Sequence, residues 1–399
     1  MIQTPQSNRL HISIFGKCNS GKSSLINAIT GQQTAIVSEF PGTTTDTVTK
    51  SMEVAGMGPC LFIDTAGFDD ISILGIQRLE QTRKAADRAD IAIVVYSNMD
   101  VVDETNWVDF FREKKVPVIA VVNYNEKKID DLDKLSRDIK YSTRLSPIII
   151  NAKTGEGVQH LMKALIKESR NTAKTITITG NLVKEGDVVL LVMPQDIQAP
   201  EGRLILPQSQ TIRELLDKKC MVICTTPEKL AGSLKTLSVP PDLVITDSQM
   251  FAYVNQRIPA ESKLTSFSVL FARYKGNIEL FIEGAKKVEK LTESSRVLIA
   301  EACAHAPLNE DIGRVKIPRM LREKIGEGLT IDVVSGTDFP KDLTSYDLII
   351  HCGACMFNRK QVLSRIDRAM KQEVAITNYG IVIAHLTGTL DKVVYTLAE

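Results

Sequence analysis

No charge of either sign predominates in this sequence. Lysine plus arginine total 49 and aspartate plus glutamate 48, which argues against a globally basic nucleic-acid binder and leaves room only for a local patch. The N-terminal MIQTPQSNRL has no apolar signal core, and no apolar run reaches the length of a membrane span. A soluble, cytoplasmic protein is the expectation. Low-complexity segments are missing, and no internal repeat stands out at the residue level. Hydrophobic residues make up 43% and charged residues 24%, so nothing reads as a disordered tail. Single cores seldom grow much past about 250 residues, so 399 residues imply two or three domains. In a cytoplasmic setting the seven cysteines read as metal ligands, nucleophiles or buried apolar residues rather than disulfides.

What is present divides into three parts, expected as domains at 1–170, 171–269 and 270–399. In the first, apolar runs at His11–Phe15, Cys60–Ile63, Ile91–Tyr96, Val116–Val122 and Pro147–Ile150 alternate with helical patterns. That alternation predicts an α/β fold with a mostly parallel sheet. Arg170–Thr179 is polar and threonine-rich and reads as a linker. The second part predicts strands at Val188–Val192, Met221–Thr225 and Leu243–Thr246, and the third at Val297–Ala300, Thr330–Val334, Asp347–Ile350 and Val374–Thr377. Two further parallel α/β domains are therefore expected, or one continuous domain. The middle part offers no catalytic set: Asp187, Asp196, Asp217 and Asp247 are scattered, and Cys220 and Cys224 are spaced to share one buried face of a strand.

The segment Gly16-Lys17-Cys18-Asn19-Ser20-Gly21-Lys22-Ser23 fits the phosphate-loop pattern G-x-x-x-x-G-K-[ST], and it lies after a predicted strand and before a predicted helix beginning at Ser24. Its glycines let backbone N–H groups turn onto phosphate oxygens, and the helix N-terminus adds partial positive charge. Lys22 is placed for the β and γ phosphates, and the Ser23 hydroxyl for magnesium. Downstream, Asp64-Thr65-Ala66-Gly67 ends a strand, where Asp64 can hold the magnesium shell and Gly67 can sense the γ-phosphate. Thr44, in Gly42-Thr43-Thr44-Thr45-Asp46, can close over magnesium. Lys22, Thr44, Asp64 and Gly67 are the residues expected to carry hydrolysis of GTP. Asn151-Ala152-Lys153 is expected to meet the base.

Residues 9–168 resemble GTPases of the TrmE, Era and EngA branch. In that branch the asparagine of G-x-x-N-x-G-K-S helps bind a monovalent cation, so the resemblance implies a potassium ion at Asn19 and potassium-stimulated hydrolysis. It also implies a slow enzyme, because Phe68 stands where faster relatives carry a water-orienting glutamine. One departure is clear. Where the branch has Asn-Lys-x-Asp, this sequence reads Asn123-Tyr124-Asn125-Glu126. Asn123 is kept and Glu126 still offers a carboxylate, one methylene further out, so guanine preference is expected in a weakened form.

A second chemistry lies in two loops, each after a predicted strand: Cys303-Ala304-His305 and His351-Cys352-Gly353-Ala354-Cys355. Loops at the C-terminal ends of strands are the usual location of sites in open parallel sheets. Cys352-x-x-Cys355 can grip one metal centre, with Cys303 reaching from the other loop. A structural zinc site of the Cys/His type, an iron–sulfur cluster and a set of buried structural residues all remain open, because soft thiolates suit both metals. Arg314, Lys316 and Arg319 follow closely enough to attract an anion or to form a solvated helix face.

A C-x-H segment, then H-C-x-x-C with its first cysteine 49 positions further on, downstream of a TrmE-like GTPase, resembles the HydF family of FeFe-hydrogenase maturation GTPases over the whole chain. The resemblance implies a four-iron–four-sulfur cluster on Cys303, Cys352 and Cys355, with His305 or His351 as fourth ligand or as a partner behind the ligands. It further implies a transient di-iron precursor carrying carbonyl and cyanide ligands, a homodimer, the radical SAM enzymes HydE and HydG, and an apo-hydrogenase as recipient. The rivals are an RNA-associated GTPase with a zinc-stabilised end, as in TrmE and Era, and a redox-sensing GTPase gated by its cluster.

Overall fold

The computed structural model describes residues 4–31, 48–69, 73–124, 132–172, 176–194, 204–302 and 311–395, with backbone only for 73–78 and 172. The chain forms two compact units, Met1–Lys174 and Thr175–Glu399. No helix among the described residues is long and apolar enough to cross a membrane.

The first unit is a six-stranded sheet, β1 (Leu10–Gly16), β2 (Val48–Val54), β3 (Gly58–Asp64), β4 (Ile91–Tyr96), β5 (Val118–Asn123) and β6 (Ile148–Ile150), in the order β2-β3-β1-β4-β5-β6. All pairs are parallel except β2 with β3. Helices α1 (Lys22–Thr30), α2 (Ile73–Asp87), α3 (Val102–Glu113) and α4 (Leu132–Thr143) connect the strands, and α5 (Val158–Thr172) follows the last. Since side chains alternate across a strand, β1 sends Ile12 and Ile14 to one apolar layer with Leu25 and Ile26 of α1 and Leu161 and Leu165 of α5. It sends Phe15 to another layer with Phe111 of α3 and Ile139 of α4. The alternation read from sequence is borne out, while β2 was not anticipated: VTKSMEV is too polar to read as a strand, and it sits at the sheet edge.

The second unit holds two four-stranded sheets. The first comprises β7 (Val188–Val192), β8 (Met221–Thr225), β9 (Leu243–Thr246) and β10 (Lys263–Ser266), with helices α6 (Leu206–Asp217), α7 (Leu230–Thr236), α8 (Phe251–Asn255) and α9 (Phe267–Lys275). The other comprises β11 (Arg296–Ala300), β12 (Thr330–Val334), β13 (Leu348–His351) and β14 (Ala375–Asn378), with α10 (Ile278–Lys286), α11 (Ile317–Ile325), α12 (Arg359–Lys371) and α13 (Tyr379–Leu386). Their orders are β10-β9-β7-β8 and β12-β11-β13-β14, one path read in opposite directions.

The repetition extends to the register. Val192 pairs with Thr225 and Thr246, and Thr246 with Ser266; Ala300 pairs with Val334 and His351, and His351 with Asn378. The Asp242 carboxylate accepts the Val188 N–H at 2.8 Å, as the Asp347 carboxylate accepts the Arg296 N–H at 2.8 Å. The last strand of each sheet runs straight into a helix whose N-cap side chain, Ser266 or Asn378, accepts a backbone N–H. These matching helices meet: a Cβ on Gly380 would lie 2.3 Å from Ser268 Oγ. One apolar cluster runs through both sheets, from Leu190, Val192 and Val244 to Leu298, Ile349 and Ile376.

Two local expectations need correction. Arg170–Thr172 continue α5, and Ile178 and Thr179 are docked on the Glu214 carboxylate of α6, so the polar stretch is only briefly a linker. Cys220 precedes β8 and is buried, whereas Cys224 lies in β8, a strand at the sheet edge, and is exposed.

Candidate functional site

Strand β1 ends at Gly16, and the chain then turns through the phosphate loop into α1. Two left-handed residues make the turn: Asn19, with φ +57°, and Gly21, with φ +87°. Asparagine tolerates that region better than most residues, and glycine carries no Cβ to oppose it. A Cβ on Gly21 would also lie 2.0 Å from Asn123 Nδ2.

Lys22 is buried, and its ammonium donates to Gly16 O at 3.0 Å and Lys17 O at 2.8 Å, closing the loop upon itself. Burial lowers its pKa, against the pull of Asp64. Ser23 Oγ donates to Asp64 Oδ2 at 2.5 Å. Burial raises the Asp64 pKa while Ser23 and Lys22 oppose the rise. The other carboxylate oxygen, Oδ1, is buried and accepts no hydrogen bond. An orphaned buried carboxylate oxygen beside a hydroxyl is a donor set that fits magnesium, a hard cation preferring oxygen ligands. Gly67 presses on the loop, since a Cβ there would lie 2.4 Å from Cys18 Sγ and 2.6 Å from Cys18 N. The Cys18 N–H, in the turn between β1 and α1, donates to Asp69 Oδ1 at 2.6 Å. Phe68 packs against Trp107 with ring centroids 5.8 Å apart.

Asn123, at the end of β5, joins three segments. Its Nδ2 donates to Ser20 O at 2.9 Å, and its Oδ1 accepts the Ala152 N–H at 3.1 Å. Asn151 Oδ1 accepts the N–H groups of Lys153 and Thr154, shaping the 151–154 turn. Tyr124 donates its hydroxyl to Glu156 at 2.6 Å. Ser24 lies half-buried in the first turn of α1. Thr44 and Glu126 lie outside the described residues.

Behind the loop stands a charged cluster that sequence reasoning missed. Lys17 donates to Asp100 at 2.7 Å, with Glu104 at 3.6 Å and Asp103 at 3.7 Å. Glu104 is fully buried and neither of its carboxylate oxygens accepts a hydrogen bond. Burial, reinforced by Asp103 and Asp100 and opposed by Lys17, pushes its pKa from the usual 4.5 to about 7.

In the second unit the cysteine loop leaves β13 beside β11, at the point where the strand order reverses, the expected place for a site in an open parallel sheet. Cys352 Sγ accepts N–H bonds from Ala302 at 3.0 Å and Ala354 at 3.4 Å. Left as a thiol, Cys352 is pushed by burial to a pKa of about 11, against the two N–H donors. Those donors suit a metal-bound thiolate, whose charge they stabilise. The Ala302 donor immediately precedes Cys303, which with His305 lies outside the described residues. Among the described residues alone, no group of three or more His, Cys, Asp or Glu is gathered for a metal.

His351 is buried with both ring nitrogens engaged, Nδ1 with Cys352 O at 2.8 Å and Nε2 with Arg365 at 2.9 Å. A carbonyl only accepts, so Nδ1 carries the proton and Nε2 accepts from the guanidinium. Burial and Arg365 drive the His351 pKa down to about 3. Lys275, from the first sheet's last helix, donates to Ala354 O and Phe357 O. Burial pulls its pKa to about 8, with Cys355 and Cys352 acting upward. Of the three basic residues singled out in the sequence, Arg314 is paired with Glu301 and Ser335, Lys316 donates to Gln249, and Arg319 is exposed 3.7 Å from Glu323.

The fold and phosphate loop define the first unit as a GTPase domain of the P-loop class, and residues 11–124 match the family model described as 50S ribosome-binding GTPase. Residues 178–276 match the hydrogen maturase F dimerization domain and residues 279–396 the hydrogen maturase F tetramerization domain, together more than half of the chain. The chain belongs to the hydrogen maturase F (HydF) family.

Curated relatives align with the GTPase part. A tRNA modification GTPase MnmE from Endomicrobium trichonymphae is 35% identical over 174 residues, covering 41% of this chain and 37% of that protein. A GTPase Der from Wolinella succinogenes is 31% identical over 178 residues, covering 42% and 38%. The chain thus spans under two fifths of the length of these relatives. A crystal structure of an Aquifex aeolicus Era variant bound to GDP.AlF4- is 26% identical, covering 40% of this chain and 56% of that one, with a TM-score of 0.36.

Proposed function

We propose that the first unit hydrolyses GTP and that the second unit holds a four-iron–four-sulfur cluster on Cys303, Cys352 and Cys355, as the scaffold of a hydrogenase maturation factor. The observation that carries the cluster reading is the seat of Cys352. Its sulfur receives two backbone N–H groups at the strand-order reversal, one of them from the residue before Cys303. Presence of both maturase models beside a GTPase domain supports the biological role.

In the GTPase unit, Lys22 exchanges its two carbonyl partners for phosphate oxygens, and Asp64 Oδ1 with Ser23 Oγ completes a cation site. Bound magnesium supplies charge neutralisation of the triphosphate. Thr44 closes over that site. Asn123, Asn151, Ala152, Lys153 and Glu126 hold the base. Asn19, exposed at the loop's outer turn, is the residue for potassium. Faster hydrolysis in KCl than in NaCl at equal ionic strength checks this, and equal rates would remove it.

In the second unit, His351 serves behind the ligands, since both of its nitrogens are engaged. That leaves the fourth iron open to His305, a carboxylate or water, and so to exchange with a di-iron precursor as cargo. The partners that follow are HydE, HydG and an apo-hydrogenase, with self-association through the two maturase segments.

Anaerobic iron, sulfide and zinc analysis with a visible spectrum tests the reading. Iron and sulfide in near-equal amounts, lost in Cys303→Ser while hydrolysis persists, is expected. Stoichiometric zinc without sulfide would overturn the cluster and favour a zinc-bearing GTPase.

A further inference from the structure

Lysine in the last turn of a helix ordinarily carries its charge to solvent while complementing the helix dipole. Lys275 ends α9 but is only 3% exposed. Its ammonium crosses from the first four-stranded half of the unit to the cysteine loop of the second. There it donates to three carbonyls, Phe357 O at 2.6 Å, Ala354 O at 2.8 Å and Cys355 O at 3.2 Å. An ammonium has three N–H donors, and the loop uses all three. Arg359 makes the return contact, donating to Tyr274 O at 2.6 Å, Gly276 O at 3.2 Å and Arg273 O at 3.3 Å, the carbonyls that end α9. Helix end and cysteine loop are therefore locked to each other by two cations.

Packing alone does not call for charge at this place. Burying an ammonium costs several kcal/mol unless an anion or good hydrogen bonds offset it, and a methionine of similar length would fill the space. Cys355 supplies one of the three carbonyls, and it and Cys352 are the groups that favour a charge on Lys275.

The geometry points to Lys275 as a positioning residue for the iron–sulfur centre: it fixes the Cys352–Cys355 loop and places an ammonium against the backbone that carries the two sulfurs. This rests on the reading of those cysteines as cluster ligands. A nearby positive charge favours the reduced, more negative state of such a centre, and hydrogen bonds behind the ligands hold them in place. Lys275 lies in the segment matched by the dimerization model, so part of the site is supplied by the half that carries none of its cysteines.

The test uses the full-length protein, reconstituted anaerobically with iron and sulfide, as parent and as Lys275→Met. Iron and sulfide per chain, midpoint potential by spin-resonance redox titration, and iron loss to a chelator are measured. The methionine variant should load, titrate at a more negative midpoint, and lose iron about ten-fold faster, as for other partners behind metal ligands. A loaded variant with unchanged midpoint and unchanged iron loss overturns the inference and leaves the cluster reading intact. A parent that takes up no iron and sulfide overturns both. Should Lys275→Met fail to fold, Lys275→Gln keeps a donor and removes only the charge; its midpoint must still fall, and an unchanged one overturns the proposal.

Discussion

Asn123 connects the phosphate loop to the turn at 151–154, and Asn123→Ala tests how much that connection is worth. The substitution removes the donor to Ser20 O at 2.9 Å and the acceptor for Ala152 N–H at 3.1 Å. Both partners are buried backbone groups, so neither finds full replacement in water. At about 1–1.5 kcal/mol for each lost bond, the binding-competent arrangement loses about 2–3 kcal/mol. At 1.4 kcal/mol per decade this weakens nucleotide binding by about 30- to 150-fold. Titration with fluorescent GTP, GDP and ATP analogues reads the effect. Because the two bonds brace the loop rather than touch the γ-phosphate, GTP and GDP should weaken by the same factor. Asn123→Asp keeps the acceptor but sets a carboxylate oxygen against Ser20 O, so it should do no better than alanine. Full affinity in the alanine variant would refute the bracing argument. Loss of GTP-over-ATP preference with affinity retained would assign Asn123 to the base alone.

Lys22→Ala should lower the hydrolysis rate by about 10²–10³-fold, as removal of a group stabilising transition-state charge does, while iron content is unchanged; parallel loss of iron would show that the units are not separable. Glu104 binds its proton more tightly folded than unfolded, so its contribution to stability is full below pH 4.5 and is lost as pH rises through about 7. Thermal melts of Glu104→Gln should therefore exceed the parent at pH 8 and vary less between pH 4.5 and 7, whereas parallel curves would contradict the assignment. Alanine for glycine inside a helix ordinarily stabilises by about 1 kcal/mol. At Gly284 of α10 the new Cβ would lie 2.0 Å from Ile376 O, so the sign should reverse to a loss of about 1–3 kcal/mol in denaturant unfolding.

Apolar runs and the glycine pattern carried the architecture: β4, β7, β8, β9 and β12 begin and end where their runs do, and the phosphate loop lies between β1 and α1 as its motif requires. What escaped notice were charges that work from inside. Glu104 shares the buried face of α3 with Val108 and Phe111, Lys275 that of α9 with Phe271 and Ala272, and Arg365 that of α12 with Val362, Ile366 and Ala369. Each is a charge on an apolar stripe, a position that periodicity assigns to the core and that burial permits only with partners. The signal was therefore present as a conflict between residue type and period. The partners were not legible, because they come from distant segments: Lys17 for Glu104, the 354–357 carbonyls for Lys275, His351 for Arg365.

The duplicated sheets explain why the cysteine loop sits where it does. Strand order and register make Thr246 and His351 counterparts, so Asp247 in one half stands where Cys352 stands in the other. Both positions follow the strand beside which the order reverses. After Asp247 the chain passes directly into short helical turns at Ser248–Met250 and Phe251–Asn255. After Cys352 it makes a longer excursion, with Ala354 at φ +52°, before Asn358 and Gln361 cap α12 reciprocally. The scaffold thus provides one crossing twice, and only the loop differs in what it can bind. Chemistry in this unit belongs to the loops rather than to the fold. A residue-level search for repeats misses the relation, since parallel strands need only apolar residues at matching depth: LVIT and LIIH serve one place.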